Sequence, residues 1–159
     1  MLDRLDRVFR SLSAREVRYV VIGGIAAAIH GVPRATFDLD MLIAPTAENA
    51  RRLLSAFRDA GLVTSELTTP EGLLAHEITV FKDFVRIDVQ TRTPGLEFES
   101  AWRDRMDVPF AGTVIRVVSR KDLIRSKKKS GRPVDLEDVR ILESLPERPP
   151  DQDNPHPAP

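Results

Sequence analysis

Two aspartates in alternate positions of one predicted strand are the residues of this sequence best suited to chemistry. Residues 37–43 read Phe-Asp-Leu-Asp-Met-Leu-Ile. Because side chains alternate along a strand, Asp38 and Asp40 lie on one face, roughly 6.5 Å apart along the chain. Carboxylates at that spacing can converge on Mg²⁺, a hard cation that takes oxygen ligands and keeps waters for phosphate oxygens. The alternative is that both carboxylates simply face water from a half-exposed strand.

The elements before this strand favour a functional site. Residues 18–22 form a short apolar run rich in β-branched types, which predicts a buried strand. Gly23 and Gly24 follow it directly and suit a tight turn at which the backbone approaches a ligand closely. A short helix is predicted over 25–30, and the unpaired N–H groups of a helix N-terminus favour phosphate. The two glycines and the acidic pair together predict a site for a metal-bridged triphosphate.

These motifs resemble the polymerase-β-type nucleotidyltransferase superfamily. Gly23 and Gly24 are followed, after thirteen residues, by Asp38 and Asp40. The whole string from Gly23 to Asp40 is similar to the AbiEii-like branch, small bacterial nucleotidyltransferases often found in toxin–antitoxin or abortive-infection pairs. In much of the superfamily the second motif residue is serine, so Gly24 lacks that hydroxyl contact, although the Gly-Gly form is common in this branch. The resemblance covers the chain from about residue 15 to residue 145.

A third carboxylate is predicted on a later strand. Strands are predicted over 76–81 and 84–90, joined by a tight hairpin at residues 82 and 83. In the second of them Asp88 alternates with valine and isoleucine, so it lies on a polar face together with Arg86. A surface salt bridge between Arg86 and Asp88 is the alternative interpretation. The resemblance implies a third catalytic carboxylate on a strand next to the Asp-x-Asp strand, and Asp88 is the residue that fits.

A basic run near the end of the chain has two possible interpretations. Residues 119–122 read Ser-Arg-Lys-Asp, a capping box that opens a helix. The helix and its end are rich in lysine and arginine, which is typical of a solvated helix face. The pattern of residues 122–138 also resembles the AbiEii-like branch, in which this segment lies near the nucleotide. The resemblance therefore implies that Lys127 contacts the triphosphate, with Arg132 beside it. Arg34 and Thr36, just before the aspartates, are weaker candidates for contact with the substrate.

The remaining periodicities predict the elements that position these residues. An amphipathic helix is predicted at the N-terminus, and a second one after Thr46 as N-cap, with Gly61 near its end. A short helix over 96–103 and a hairpin around Ala111-Gly112 follow, and Pro133 opens a last helix. Its predicted inner face is Leu136, Val139, Leu142 and Leu145. The predicted fold is α/β, a short mixed sheet with helices mainly on one face.

Composition limits the class of protein. The chain has 159 residues, no cysteine and a formal net charge of zero. These values predict one domain over residues 1–145, with no disulfide and no coating of nucleic acid through overall charge. No signal peptide or apolar run of membrane-spanning length is present, which favours the cytoplasm and no membrane contact. Residues 146–159 are rich in proline and predict a disordered tail.

The predicted function is Mg²⁺-dependent transfer of a nucleotide from an NTP. The expected metal ligands and catalytic residues are Asp38, Asp40 and Asp88, with Gly23 and Gly24 at the triphosphate. The acceptor stays open between an RNA such as a tRNA end, a protein and a small aminoglycoside-like molecule. A cognate toxin or antitoxin protein is a possible partner. Two alternatives are a catalytically silent member of the fold that binds such a partner, and a metal-dependent phosphohydrolase.

Overall fold

The computed structural model describes residues 2–146, with the backbone alone for residues 2 and 3. Its helices and strands are α1 (Leu2–Ala14), β1 (Tyr19–Ile22), α2 (Gly23–Ile29), β2 (Asp38–Ile43), α3 (Ala47–Asp59), a 3₁₀ turn (Val63–Leu67), α4 (Pro70–Leu74), β3 (Ile78–Lys82), β4 (Arg86–Gln90), α5 (Phe98–Arg103), β5 (Met106–Phe110), β6 (Thr113–Val117), α6 (Arg120–Ser130) and α7 (Pro133–Ser144). Of the predicted tail over 146–159, Pro146 alone belongs to the described residues, and residues 147–159 lie outside them.

The six strands form one mixed sheet in the order β3-β4-β2-β1-β6-β5. The central strands β1 and β2 are antiparallel, whereas β4 runs parallel to β2 and β6 runs parallel to β1. The outer pairs β3–β4 and β5–β6 are antiparallel hairpins. This mixed sheet with flanking helices confirms the predicted fold class.

One face of the sheet is buried under the long helices. In β2, Leu39, Met41 and Ile43 are fully buried, while the two aspartates that alternate with them are partly exposed. Helix α3 covers this buried face, where the ring of Phe57 meets that of Phe81 edge to face at 5.0 Å. The alternation predicted from the sequence is therefore confirmed, since burying one face fixes the register of a strand.

Several boundaries differ from the predicted ones. Helix α2 begins at Gly23, so the glycines form its first turn and do not precede it. Strand β3 begins two residues later than expected, at Ile78. Strand β4 also begins two residues later, because residues 83–85 form the turn that was expected at residues 82 and 83. Thr46 is the N-cap of α3, as predicted, and accepts a hydrogen bond from the N–H of Asn49 at 3.2 Å.

The predicted inner face of α7 is partly wrong. Leu136 is 48% exposed, whereas Asp135 and Asp138 are buried beside Val139 and Leu142. The aspartates turn inward because Lys127 of α6, Arg34 before β2 and Arg132 at the start of α7 pair with them, as described below. A buried charge is tolerated where it is paired in this way. The hydrophobic pattern of α7 alone does not predict this burial.

Within residues 2–146, no helix combines the length and the apolar character that crossing a membrane requires.

Candidate active site

The parallel pairing of β2 with β4 brings the three predicted aspartates onto one face of the sheet. In this pairing Asp40 lies directly opposite Asp88, and Asp38 lies opposite Arg86. Paired residues of neighbouring strands point to the same side. Asp38, Asp40 and Asp88 therefore share the face that the long helices leave uncovered, although 48 residues separate the second from the third along the chain.

Gly23 lies against Asp40. Strand β1 places Ile22 opposite Asp40, and the next residue turns over the carboxylate. A β-carbon at Gly23 would lie 3.0 Å from the β-carbon of Asp40 and closer still to Oδ2, and the backbone there has a φ of +69°. Both the close approach and the left-handed conformation require glycine at this position.

Gly24 has a similar relation to Thr36. A β-carbon at Gly24 would lie 2.8 Å from the hydroxyl of Thr36, which precedes β2. The glycine pair is therefore fitted against residues on both sides of the Asp-x-Asp motif. Since α2 has only seven residues, we attribute the role of the glycines to close backbone approach and not to a helix dipole.

The three carboxylates repel one another. Burial, together with the charges of Asp88 and Asp38, raises the pKa of Asp40 to about 6, against smaller lowering effects of Arg132 and Arg86. Neighbouring negative charges disfavour the ionised form of a carboxyl group, and a cation bound between the carboxylates stabilises that form. The face thus has the electrostatic character of a cation site.

An arginine already contacts two of the carboxylates. Arg86 Nε lies 2.9 Å from Asp88 Oδ1, and Nη2 lies 3.3 Å from Asp88 Oδ2. The same Nε is 3.8 Å from Asp38 Oδ2. The salt bridge considered as an alternative for Asp88 is therefore present, and it lies within the aspartate face.

Lys127 is buried between α6 and α7. Its ammonium lies 3.1 Å from Asp135 Oδ1 and 2.8 Å from Asp138 Oδ2, and its side chain is 6% exposed. Arg34 pairs with the same Asp138 oxygen at 2.7 Å, so the segment before β2 is tied to the last helix. Lys127 thus links two helices, and its direct contact with a triphosphate stays a prediction.

Arg132 belongs to the same ion-pair network and acts on the aspartate face through its charge. Its Nε lies 2.7 Å from Asp135 Oδ2, its side chain is 71% exposed, and its positive charge acts on Asp40. Burial would raise the pKa of Asp135, but hydrogen bonds from Arg132, Ser130 and Lys127 outweigh it and hold that pKa below its ordinary value. An ionised Asp135 therefore holds Arg132 near the site.

Asp135 and Asp138 were not predicted as site residues. Their spacing of three residues on a helix that follows a lysine-rich helix was a signal, since such positions share one helix face.

His30 was expected to make a structural hydrogen bond, and its Nε2 donates to the carbonyl of Val118 at 2.8 Å.

The aspartates suit a divalent metal in their chemistry. Carboxylate oxygens are the ligands that Mg²⁺ takes in proteins, and glycine leaves the backbone close to Asp40. Among the described residues, however, no three acidic, histidine or cysteine side chains are already arranged around a common metal position. Asp38 is 51% exposed and Arg86 42% exposed, so both side chains have the freedom to turn.

Comparisons with known proteins show similar folds among solved structures. Among solved structures, the fold is similar to a protein from Thermotoga maritima provisionally named a nucleotidyltransferase, with a TM-score of 0.59 and 18% identity over 89% of this chain and 91% of that one. It is also similar to an antigenic nucleotidyltransferase-like protein from Paracoccidioides brasiliensis, with a TM-score of 0.55 and 19% identity over 92% and 79% of the two chains. No curated protein matches the sequence.

The sequence itself matches a family over almost its whole length. Residues 1–145 match the family described as nucleotidyltransferase of unknown function (DUF6036). Because the two structural neighbours share less than 20% of their sequence with this chain, they support the fold alone. The family match is the finding that assigns the chain to a family. This chain is a member of that nucleotidyltransferase family.

Proposed function

We propose that the protein is a Mg²⁺-dependent enzyme that transfers a nucleotide from an NTP to an acceptor hydroxyl. The observation that carries this proposal is the alignment of Asp40 with Asp88 on adjacent parallel strands, with Asp38 on the same face and Gly23 against Asp40. Membership of a nucleotidyltransferase family supports the reaction class. The metal and the substrates are parts of the proposal.

The chemistry assigns a different task to each aspartate. Mg²⁺ held by the carboxylates would neutralise the triphosphate and stabilise the attacking and leaving oxygens. Asp38 and Asp40, on one strand, would bind the cation that arrives with the nucleotide. Asp88, on the neighbouring strand, would complete the site and accept the proton of the acceptor hydroxyl. The acceptor oxygen forms a bond to the α-phosphorus, and the bond to the bridging oxygen breaks to release pyrophosphate.

The surrounding residues would hold the nucleotide. Gly23 and Gly24 let the backbone approach the phosphates closely, and Thr36 lies beside Gly24 with a hydroxyl that can donate a hydrogen bond. Arg132 would contact a phosphate oxygen, which its exposure and the effect of its charge on Asp40 support. Arg34 and Lys127 would act more indirectly, because both are paired with Asp138.

The resemblance to the AbiEii-like branch supports a finer proposal. On that basis the protein acts in a toxin–antitoxin or abortive-infection system, with an RNA such as a tRNA end, a protein or a small molecule as acceptor. A cognate protein encoded beside it would be its partner.

A catalytically silent, partner-binding protein is the second candidate. Two observations favour it: Arg86 already neutralises Asp88, and the described acidic residues are not gathered around a metal position. A silent protein would keep the sheet but would not need the glycine contact on Asp40.

Release of pyrophosphate separates the candidates. Each of the four NTPs is incubated with the protein, with Mg²⁺ or EDTA, in the presence of total RNA and of cell extract as sources of acceptor. A nucleotidyltransferase releases pyrophosphate only with Mg²⁺, a phosphohydrolase releases orthophosphate, and a silent protein releases neither. Asp40→Asn is the inactive variant, and Asp104→Asn, an exposed site at the end of α5, is its matched control.

A further inference from the structure

Arg86 occupies a specific place among the three aspartates. It precedes Asp88 by two residues on β4, so both side chains lie on the same face. Across the sheet it lies between Asp38 of β2 and Lys82 of β3. Lys82, directly opposite on β3, repels Arg86, whereas the carboxylates of Asp38 and Asp88 attract it. The register therefore directs this guanidinium into the site.

The contacts of Arg86 are those of a cation shared between carboxylates. Its Nε lies 2.9 Å from Asp88 and 3.8 Å from Asp38, and a second nitrogen lies 3.3 Å from the other Asp88 oxygen. Both Asp88 oxygens are thus engaged by a monovalent group. The side chain is 42% exposed, so solvent screens this ion pair and makes it weak enough to exchange.

We propose that Arg86 is a built-in counter-cation of the aspartate face, which a divalent cation displaces and which then binds the phosphates of the nucleotide. This inference rests on the proposed function. Before metal binds, Arg86 neutralises Asp88 and Asp38, and it thereby lowers the mutual repulsion that acts on Asp40. A divalent cation that takes these oxygens releases the guanidinium next to the triphosphate, for which arginine is a suitable partner.

The two halves of this proposal predict opposite effects of one substitution. Arg86→Gln keeps a side chain that can form hydrogen bonds but removes the competing charge, so the metal alone binds more tightly. The same substitution removes a phosphate contact, so metal and nucleotide together bind more weakly. Arg86→Lys keeps the charge without the two-nitrogen contact and falls between the wild type and Arg86→Gln in both measurements.

Arg92 offers a matched control on the same segment of chain. It lies two residues beyond the end of β4, is 81% exposed, and pairs loosely with Glu77 at 3.5 Å. Arg92→Gln changes the net charge by the same amount without touching the aspartate face. A general effect of charge on cation binding therefore appears equally in both variants.

The experiment measures Mn²⁺ binding first, by electron paramagnetic resonance of the free ion, on the full chain without nucleotide. We expect Arg86→Gln to bind Mn²⁺ at least threefold more tightly than the wild type and Arg92→Gln. Calorimetry with Mg²⁺ and each NTP then follows, and we expect binding to Arg86→Gln to be at least threefold weaker for the nucleotide that the wild type binds.

Several results would overturn the proposal. If Arg86→Gln binds Mn²⁺ no more tightly than Arg92→Gln, or if none of the proteins binds it, Arg86 is not a competing cation. If Mn²⁺ binds more tightly but the nucleotide is not weakened, Arg86 is not a phosphate ligand. The proposed function fails separately, through absence of pyrophosphate release, and in that case the Mn²⁺ comparison still decides whether Arg86 competes with a cation.

Discussion

At the scale of single residues, the three aspartates have different surroundings although they share one face. Asp40 is the most enclosed, because Gly23 lies against its carboxylate. Asp88 is 18% exposed and held by Arg86, while Asp38 is half exposed. Because the surroundings of the three carboxylates differ, we expect substitutions of the three aspartates to have different effects on stability, nucleotide binding and transfer.

Asp40→Asn should stabilise the protein at neutral pH in the absence of metal. Burial and the neighbouring carboxylates raise the pKa of Asp40 from 3.8 to about 6, so between these values the folded state binds more protons than the unfolded state. The stability of the wild type therefore falls as pH rises from about 4 to 6 and stays lower above 6. We expect Asp40→Asn to gain about 1–2 kcal/mol at pH 7, after allowance for partial exposure.

This gain should become small at pH 4, close to the pKa of Asp40 in the unfolded state, because the carboxyl group is then protonated in the folded state and about half protonated in the unfolded state. Urea unfolding at pH 4, 5.5 and 7 with EDTA measures the difference, and Asp104→Asn serves as an exposed control. A gain that is equal at all three values would mean that the charge of Asp40 costs no stability in the folded protein.

The aspartates of β2 and β4 should separate binding from transfer. Asp38→Asn and Asp40→Asn each remove a charged ligand of the metal that arrives with the nucleotide, so both should weaken Mg²⁺-dependent NTP binding and abolish transfer. Asp88→Asn should keep much of the binding and lower transfer by roughly 10²-fold or more, the scale of a lost general base.

The measurement pairs calorimetry with pyrophosphate release on all three variants. Near-normal turnover of Asp88→Asn, with the other two inactive, would make Asp88 a structural partner of Arg86. Normal turnover of all three would remove the site assignment altogether.

At the scale of elements, α6 and α7 are joined by charges and not only by apolar packing. Lys127 on α6 lies between Asp135 and Asp138 on α7, and Arg34 reaches Asp138 from the segment before β2. The sequence predicted both helices, the capping Ser119 and Pro133 at the start of α7, because these signals are local. The burial of Asp138 does not follow from local signals, since its partners Lys127 and Arg34 lie on other segments and become its neighbours only in the fold.

Lys127→Met should therefore destabilise the protein by about 3 kcal/mol, because it leaves two buried carboxylates with fewer partners. Lys128→Met is the matched control on the next residue. Lys128 is 56% exposed and pairs with Glu143 at the surface, so its loss should cost less than about 1 kcal/mol. Chemical unfolding of both variants measures the contrast, and equal costs would place Lys127 outside any buried network.

At the scale of the whole molecule, the sheet assembles a site from distant parts of the chain. Gly23, the aspartates of β2 and Asp88 meet because β2 lies between β1 and β4. Arg132, at the start of α7, acts on Asp40 through its charge. The strands and the shared face of Asp38 and Asp40 followed from the alternation of side chains. That the strand of Asp88 lies next to the strand of Asp38 and Asp40 was expected only from the family resemblance, since strand order is a non-local property. The register that sets Asp40 opposite Asp88 was not predicted.

The central claim is that the aspartate face binds a metal-bridged triphosphate, and thermal unfolding with ligands tests it without knowledge of the acceptor. A ligand present at ten times its Kd, and bound only by the folded state, adds about 1.4 kcal/mol of stability. For a chain of this size we expect a rise in Tm of about 3–6 °C with Mg²⁺ and at least one NTP. Mg²⁺ alone should give much less, and Asp40→Asn should lose the nucleotide-dependent rise. If none of the four NTPs at millimolar concentration with Mg²⁺ raises the Tm of the wild type, the face does not bind a metal-bridged triphosphate and the proposed function is contradicted.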